Sequence, residues 1–211
     1  MSDGRTHEHF VLAAGPNVSI RIRRKSDADG EYRWRSDPET ARFNGRAPVV
    51  EPFEHFQDLV NYELTYGVND REQFSIETVD GRHAGTIMLY NLSLDSAELG
   101  ITIGPEELRG AGLGREAITT FLRWVWNNRP LRLVYLHVLE WNERAARCFE
   151  RSGFDATARV EREGQSFIRM DARREWWMLW DAEGRFQFER DSAADRAMAA
   201  ANTDAAPSSE G

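Results

Sequence analysis

The sequence predicts a domain of the α+β class, in which helices pack on a mixed sheet. Three short alternating apolar segments follow one another in the first half and predict an antiparallel meander. A glycine-rich loop then separates a strand from an amphipathic helix, and a second strand–helix pair follows. With 211 residues, 41% of them hydrophobic, the chain is long enough for one domain with a substantial core.

The first third predicts a leader, a strand and two helices. Residues 1–17 lack periodicity, which indicates a flexible leader. Apolar residues alternate with polar ones over residues 18–22, the pattern of a half-buried strand. Ser26 or Asp27 can cap a short helix that Pro38 interrupts. Pro52 then begins an amphipathic helix that ends at Gly67.

The middle of the chain predicts three strands and one long helix. The strands cover residues 72–79, 83–91 and 97–104. Asp80-Gly81 between the first two is a hairpin signal, so they pair antiparallel. Apolar residues recur at helical spacing over residues 112–128, so this helix buries one face against the sheet.

The last part predicts a strand, a capped helix and two further strands. Val134, Leu136 and Val138 share one face of a strand whose two faces are both largely covered. Asn142 and Gly153 fit the two ends of the following helix. A strand begins at Phe154, and residues 176–180 predict a buried last strand. Residues 181–211 turn polar and alanine-rich, typical of a largely disordered tail in which a short helix near 191–201 is possible.

Composition excludes several classes of function. The net charge of −8 argues against nucleic acid as the main partner. No run of about 18 apolar residues and no signal-peptide pattern occurs, so we expect no membrane insertion and a cytoplasmic protein. The single cysteine, Cys148, fits a reducing compartment, and its position beside an aromatic residue favours a small buried hydrophobe over thiol chemistry.

The glycine-rich loop is the main candidate for ligand binding. Gly110, Gly112 and Gly114 leave backbone N–H groups free to approach an anion at a helix N-terminus, and Arg109 and Arg115 flank them. A P-loop requires a lysine here, but the chain's one lysine is Lys25. A dinucleotide fingerprint requires a different glycine spacing near the start of a domain. The loop therefore predicts a phosphate site of another kind.

The loop resembles the acyl-CoA-binding motif of the GNAT superfamily of N-acyltransferases, Gln/Arg-x-x-Gly-x-Gly/Ala, with Arg109, Gly112 and Gly114 in its fixed positions. A second block, from Leu131 through Asn142 to Gly153-Phe154, is similar to the family's strand, Asn-x-x-Ala helix and Gly-Phe. The resemblance covers about residues 18–180, which we take as the domain. It is strongest to the branch with spermidine acetyltransferases and the RimJ/RimL-like ribosomal-protein acetyltransferases.

The resemblance implies a three-layer GNAT fold, with a mixed, mostly antiparallel twisted sheet flanked by about four helices. It implies acetyl-CoA as co-substrate, held where a bulged strand splays from the next one. The residues that it assigns to acetyl-CoA are Ile101, Thr102, Ile103, Arg109, Gly110, Ala111, Gly112, Leu113, Gly114, Arg115, Asn142, Ala145 and Phe149. Asn142 can equally be a simple helix cap, or serve both purposes.

The resemblance implies acetyl transfer to a primary amine, such as a polyamine, a small amine or a protein N-terminus, by direct attack in a ternary complex. Glu98 is the candidate base, because a carboxylate partly withdrawn from water has a raised pKa; the alternative is an edge-strand carboxylate facing solvent. Both usual general acids are missing, since Phe149 and Ala145 stand in their places. Tyr90, Tyr135, His137, Cys148 or water can substitute.

That gap leaves a second function open, a sensor or scaffold with the GNAT fold that binds acyl-CoA without turnover. Carboxylates of the first third could hold an amine, although each alone is expected to be a solvated surface group: Glu31, Asp37, Glu39, Glu51 and Glu54. The acceptor itself and the preferred acyl chain stay open. A homodimer through residues 176–180 and burial of those residues in the core are equally compatible with the sequence.

Overall fold

A computed structural model of the chain describes residues 10–190. In this range eight strands form one sheet and six helices pack against it. The strands are β1 (Val11–Ala14), β2 (Val18–Ile22), β3 (Arg71–Thr78), β4 (His83–Tyr90), β5 (Ser96–Ile103), β6 (Leu133–Leu139), β7 (Asp155–Arg162) and β8 (Gln165–Arg173). The helices are α1 (Ala28–Ser36), α2 (Pro38–Phe43), α3 (Phe53–Tyr66), α4 (Leu113–Asn128), α5 (Glu143–Arg151) and α6 (Arg174–Ala182).

The sheet is mixed and mostly antiparallel, as predicted. Its strand order is β1-β2-β3-β4-β5-β6-β8-β7, and β5 and β6 are its parallel pair. These two strands pair only from Ser96↔Leu133 to Glu98↔Tyr135, and their later residues separate. This confirms the expected splay. The expected bulge in β5 is wrong, because β5 pairs with β4 in unbroken register from Gly85↔Ile103 to Tyr90↔Glu98.

The core lies between the sheet and α4. Leu113, Ala117, Phe121 and Val125 of α4 are at most 2% exposed and pack against apolar side chains of the sheet. α1, α2 and α3 belong to the opposite side, where a small apolar cluster of Ala28, Phe56 and Val60 holds α1 to α3. The two layers of helices therefore enclose the sheet, as the predicted three-layer class requires.

Most element boundaries agree with the alternating and helical patterns. The three predicted strands of the meander match β3, β4 and β5 to within one residue at each end, and the predicted long helix matches α4. Gly67 ends α3 with φ of 73°, a conformation that favours glycine. None of the helices in residues 10–190 is long and apolar enough to cross a bilayer.

The prediction of a last strand over residues 176–180 is wrong, because these residues lie in α6. Trp177 is fully buried, whereas Trp176 is 56% exposed, so the apolar run covers more than one side of a helix. Trp177 stacks on Phe186 and donates a hydrogen bond from Nε1 to Ser152 O (2.8 Å). A continuous run of apolar residues carries no periodicity, which is why the pattern did not identify the helix.

The expected boundaries of leader and tail also change. β1 lies within the expected leader 1–17, because its backbone pairs with β2 through Val11↔Arg21 and Ala14↔Ser19. In the expected tail 181–211, Phe186 is 4% exposed against Trp177, so the ordered domain extends past residue 181. The possible helix near 191–201 and the rest of both ends lie outside the described residues.

Candidate active site

The glycine loop presents unused backbone donors. Gly110 and Gly112 have φ of 84° and 82°, which turn the chain sharply before α4 begins at Leu113. Among residues 10–190, no backbone carbonyl or side-chain acceptor is hydrogen-bonded to the amides of residues 110–115. A Cβ atom at Gly110 or Gly112 would meet no atom within 4 Å, so the space in front of the loop is open. These amides and the N-terminal dipole of α4 have the features that binding of an anion requires.

The loop faces a cavity of about 520 Å³, the first of two that meet in the splay. Ile101, Thr102 and Ile103 line one side, and Asn142 and Ala145 line the other. Leu113 is 2% exposed, and its side chain belongs to the core under α4, so only its amide faces the anion site. Phe149, which was also assigned to acetyl-CoA, lines the second cavity instead of the first.

Both flanking arginines line the first cavity, and their guanidinium groups also bond to the protein itself. Arg109 donates to Ile103 O (3.2 Å), Gly104 O (2.7 Å) and Thr40 Oγ1 (2.8 Å). Arg109 thus fastens the loop to β5 and α2 rather than reaching outward. Arg115 lines the first cavity, donates to Arg151 O (3.1 Å), and lies 5.0 Å from the centre of the Phe188 ring.

Sequence reasoning missed three other cations on the same cavity. Arg144, Arg147 and Arg151 of α5 line it, at spacings of three and four residues that place them along one side of a helix. The sequence shows this spacing of arginines directly after Asn142, so it could have been used to predict them. It makes the wall opposite the glycine loop positively charged.

The free edge of β5 supplies backbone groups to the splay. Asp95 O accepts from Leu133 N of β6 (3.1 Å), and Gly104 N donates to Ala84 O beside β4 (3.0 Å). Because backbone groups alternate sides along a strand, the amides of Ile101 and Ile103 point into the splay. The Thr102 amide points to β4, so Thr102 can contribute only its side chain to the two cavities that it lines.

Asn142 caps α5 and also faces the first cavity. Its Oδ1 accepts from Ala145 N (3.2 Å), which confirms the predicted cap. The side chain is 7% exposed and lines the cavity. Among residues 10–190, no acceptor is bonded to its Nδ2 group, so one donor is left for a ligand.

The second cavity has a volume of about 310 Å³ and lies between the splay and the α1–α2 region. Both cavities are lined by Thr40, Phe43 and Asn44 from around α2 and by Ile101 and Thr102 from β5. A ligand that fills the first cavity can therefore reach one that occupies the second.

Glu98 lies under the second cavity rather than on its wall. The residue is 1% exposed, so the alternative of a solvent-facing carboxylate is wrong. It accepts hydrogen bonds from His137 Nδ1 (2.6 Å), Asn91 Nδ2 (2.8 Å) and Tyr90 Oη (2.9 Å). Burial by itself raises the pKa of a carboxyl group, but these three donors hold the pKa of Glu98 below its usual value. The expected raised pKa is therefore wrong.

His137 is the titratable group that stands between Glu98 and the second cavity. Its ring lines the cavity, and Arg162 Nη2 lies 3.1 Å from Nε2. A guanidinium group can only donate, so Nε2 accepts and Nδ1 carries the proton given to Glu98. Glu98 thus holds Nδ1, and the unprotonated Nε2, which accepts from the Arg162 side chain, has the orientation of a general base.

The other suggested proton donors are poorly suited to the reaction. Burial and the Glu98 charge raise the pKa of Tyr90, whose hydroxyl already donates to Glu98. Burial also raises the pKa of the Cys148 thiol, which lines the first cavity. The Arg169 guanidinium carbon lies 4.2 Å from the centre of the Tyr135 ring, so the guanidinium group covers that ring.

The candidate amine-binding carboxylates separate into one buried group and four others. Glu31 is 2% exposed and lines the second cavity, so the expectation of a solvated group is wrong for it. It accepts from Arg23 at both oxygens and from Gln73 Nε2 (3.1 Å). Asp37 caps α2 by accepting from Thr40 N (2.8 Å). Glu39, Glu51 and Glu54 are exposed, as expected.

Comparison with known sequences identifies a family model and two curated relatives. Residues 18–155 match the model described as an acetyltransferase (GNAT) domain. An uncharacterized protein of Methanocaldococcus jannaschii is 30% identical over 148 residues, which are 68% of this chain and 29% of that protein. A spermidine N(1)-acetyltransferase of Vibrio cholerae is 31% identical over 107 residues, 49% of this chain and 61% of that protein. The matches thus span less than two thirds of either relative.

Comparison with solved structures shows the same fold. A spermidine N-acetyltransferase from Vibrio cholerae, in complex with CoA and spermine, aligns with a TM-score of 0.68 and 22% identity, over 76% of this chain and 98% of that one. An uncharacterized protein from Bacillus halodurans aligns with a TM-score of 0.69 and 13% identity, over 83% and 95% of the two chains. At these identities the likeness concerns the backbone alone.

Proposed function

Because the chain belongs to the GNAT acetyltransferase family, whose model matches 18–155, we propose that it is an acetyl-CoA-dependent N-acetyltransferase that acts on a primary amine. The observation that carries the proposal is the set of unused amides at residues 110–115, which open onto a cavity continuous with a second one. Acetyl-CoA supplies the activated acetyl group as a thioester. Two joined cavities support direct attack in a ternary complex.

The first cavity fits the diphosphate and pantetheine of the co-substrate. The amides of residues 110–115 donate to the diphosphate, and the α5 arginines balance its charge. The free amides of Ile101 and Ile103 are placed to pair with the pantetheine amides as an added strand pairs with a sheet edge. Asn142 Nδ2 offers a donor from the opposite wall.

Proton removal is assigned to His137, positioned by Glu98. The amine arrives as an ammonium ion and must lose a proton before its nitrogen can attack the thioester carbon. His137 Nε2 accepts that proton, while Glu98 holds Nδ1 and stabilises the imidazolium ion. The Arg162 side chain next to Nε2 is 50% exposed, so it can give way to the ammonium group.

The leaving thiolate needs no acid from the protein. The new C–N bond forms as the C–S bond breaks, and the sulfur leaves with the electron pair. A thiol has a pKa of about 8.5, so its thiolate is a fair leaving group. The nitrogen loses its second proton as the amide forms, and that proton passes through water to the thiolate. This explains how transfer can proceed with Phe149 in the place of a tyrosine.

The first experiment separates an enzyme from a sensor. We expect CoA binding in calorimetry, together with thiol release from acetyl-CoA that depends on an added amine from a panel of polyamines, amino acids and N-terminal peptides. CoA binding without amine-dependent release would favour the sensor. No CoA binding at all would overturn both functions.

The second experiment tests the assigned base. His137→Gln is expected to lower kcat by about 100-fold or more and to remove the acid limb of the kcat–pH profile. Glu98→Gln should also lower kcat, by up to about 10⁴-fold, because an amide in place of the carboxylate can donate to Nδ1 and hold the imidazole in the wrong tautomer. The exposed His55→Gln is the matched control and should match the unmodified enzyme. An unchanged pH profile in His137→Gln would exclude His137 as the base.

A further inference from the structure

The second cavity has more positive than negative side chains in its wall. Its wall carries the ionisable residues Glu31, Arg35, Arg46, Asp70, Arg71 and His137. Three of them are arginines, which is unexpected for a site that must attract a simple cationic amine. The inference drawn from this wall rests on the proposed acetyl transfer and specifies the acceptor.

The carboxylates nearest the arginines are already engaged. Arg23 holds both oxygens of Glu31, and its Nη1 donates to Glu63 (2.7 Å). Arg71 pairs with the other oxygen of Glu63. Because both carboxylates already have guanidinium partners, neither is free to receive an ammonium group from the cavity.

Arg35 and Arg46 are left without an anionic partner. Neither forms an ion pair with any carboxylate in residues 10–190. Arg35 instead lies 5.3 Å from the centre of the Phe56 ring. Arg35 and Arg46 are both exposed residues. Partial withdrawal from water and the charge of Arg46 lower the pKa of Arg35, the charge of Glu31 raises it, and those of Arg71 and Arg23 lower it further. Repulsion among these arginines is relieved when an anion binds between them.

Arg46 connects this positive region with the catalytic pair. Its charge acts on Arg35 on one side and on Tyr90, which is bonded to Glu98, on the other. Asp70 is the one carboxylate on this wall without a guanidinium partner among the described residues, and it is exposed at the rim. Two unpaired cations therefore face one unpaired carboxylate, and the wall is positive overall.

We propose that the acceptor is an amine that also carries an anionic group, a carboxylate or a phosphate, which binds to Arg35 and Arg46 while the amine lies at His137. One end of the cavity thus binds the anionic group of a small molecule, and the other end binds its amine. Charge-assisted bonds to two guanidinium groups hold the anion, and a polyamine gains nothing from them.

Matched acceptors test this selectivity at constant acetyl-CoA. We expect kcat/KM for γ-aminobutyrate or aminopropyl phosphate to exceed that for butylamine and for putrescine by about 10- to 100-fold. The better of the two anionic amines distinguishes carboxylate from phosphate. Equal rates for butylamine and the anionic amines, or a preference for putrescine, would overturn the proposal while leaving acetyl transfer intact.

Variants locate the effect on the two arginines. Arg46→Gln and Arg35→Gln should each remove most of the preference by raising KM for the anionic amine, so that the ratio of its kcat/KM to that of butylamine falls toward one. Arg33→Gln, on the exposed side of α1, is the matched control and should preserve the preference. An undiminished preference in both arginine variants would place the anion elsewhere. Absence of transfer to every amine, with CoA binding retained, would instead refute the proposed function.

Discussion

The two faces of the sheet bury different kinds of side chain. Beneath α4, Ile20 and Ile76 from adjacent strands are fully buried among other apolar groups. On the opposite face, Arg21 of β2 is 1% exposed, and Arg23, which follows the strand, is 6% exposed. Residues of the α1 region, Asp27 and Glu31, neutralise them. The same short strand thus has an apolar core on one side and a set of buried ion pairs on the other.

The two faces have different effects: the apolar face stabilises the fold, and the ion pairs determine where the helices lie. Apolar burial favours folding in proportion to area, whatever the detailed arrangement. A buried ion pair adds little net stability, but removing one partner is costly, so each pair permits one arrangement of its groups. The apolar face therefore supplies most of the stability, and the ion pairs hold α1 and α3 in place on the side of the sheet that carries the second cavity.

The largest expected effect lies on the apolar face. Phe121→Ala removes a fully buried ring that lies 5.5 Å from Phe74 and 5.9 Å from Trp124 between centroids. We expect it to lower the free energy of unfolding by about 3–5 kcal/mol in urea denaturation. Leu59→Ala, at a 49% exposed position of α3, should change it by less than about 1 kcal/mol. Similar losses in the two variants would contradict the contrast.

The next effect tests the ion pairs through pH. Burial raises the pKa of Asp27, but the Arg21 bond, with further contributions from His83, Arg24 and Ser75, lowers it from 3.8 to about 2. Because the folded pKa lies below the unfolded one, Asp27 stabilises the protein by about 2 kcal/mol above pH 3.8. That contribution is lost as the pH falls from about 4 to about 2.

Denaturation at a series of pH values measures this contribution. Asp27→Asn should be less stable near neutral pH and should lose less stability than the unmodified protein below pH 4. The control is Asp29→Asn, whose ion pair with Arg33 is exposed and should leave the acid limb unchanged. An identical acid limb in Asp27→Asn would mean that other carboxylates dominate.

The contrast also explains how much of the fold the sequence could predict. Alternation identified β2 and the meander, and helical spacing identified α4, because their apolar residues face a single core. The polar positions of β2 carry the same pattern whether they face water or buried carboxylates. Arg21 and Glu31 were therefore expected at the surface, and only the arrival of α1 on that face buries them.

The candidate site divides in the same way. The glycine loop and the Asn142 cap depend on local backbone conformation, which residue type and spacing record directly. Arg109 bonds to Thr40, and Glu98 bonds to His137. In each pair the two residues are distant in the sequence. No local pattern specifies such pairs, so the sequence predicted neither the anchoring of Arg109 nor the lowered pKa of Glu98.

The smallest stability effect separates the two uses of Asn142 beside the first cavity. Asn142→Ala removes the cap of α5 and should lower the free energy of unfolding by about 1 kcal/mol. Asn142→Ser keeps a capping oxygen but loses the Nδ2 donor, so it should retain stability. If Nδ2 bonds to the pantetheine, both variants bind CoA several-fold more weakly in calorimetry. Normal CoA affinity in Asn142→Ser would show that Asn142 acts as a cap alone, leaving the amides of β5 and the glycine loop to hold the co-substrate.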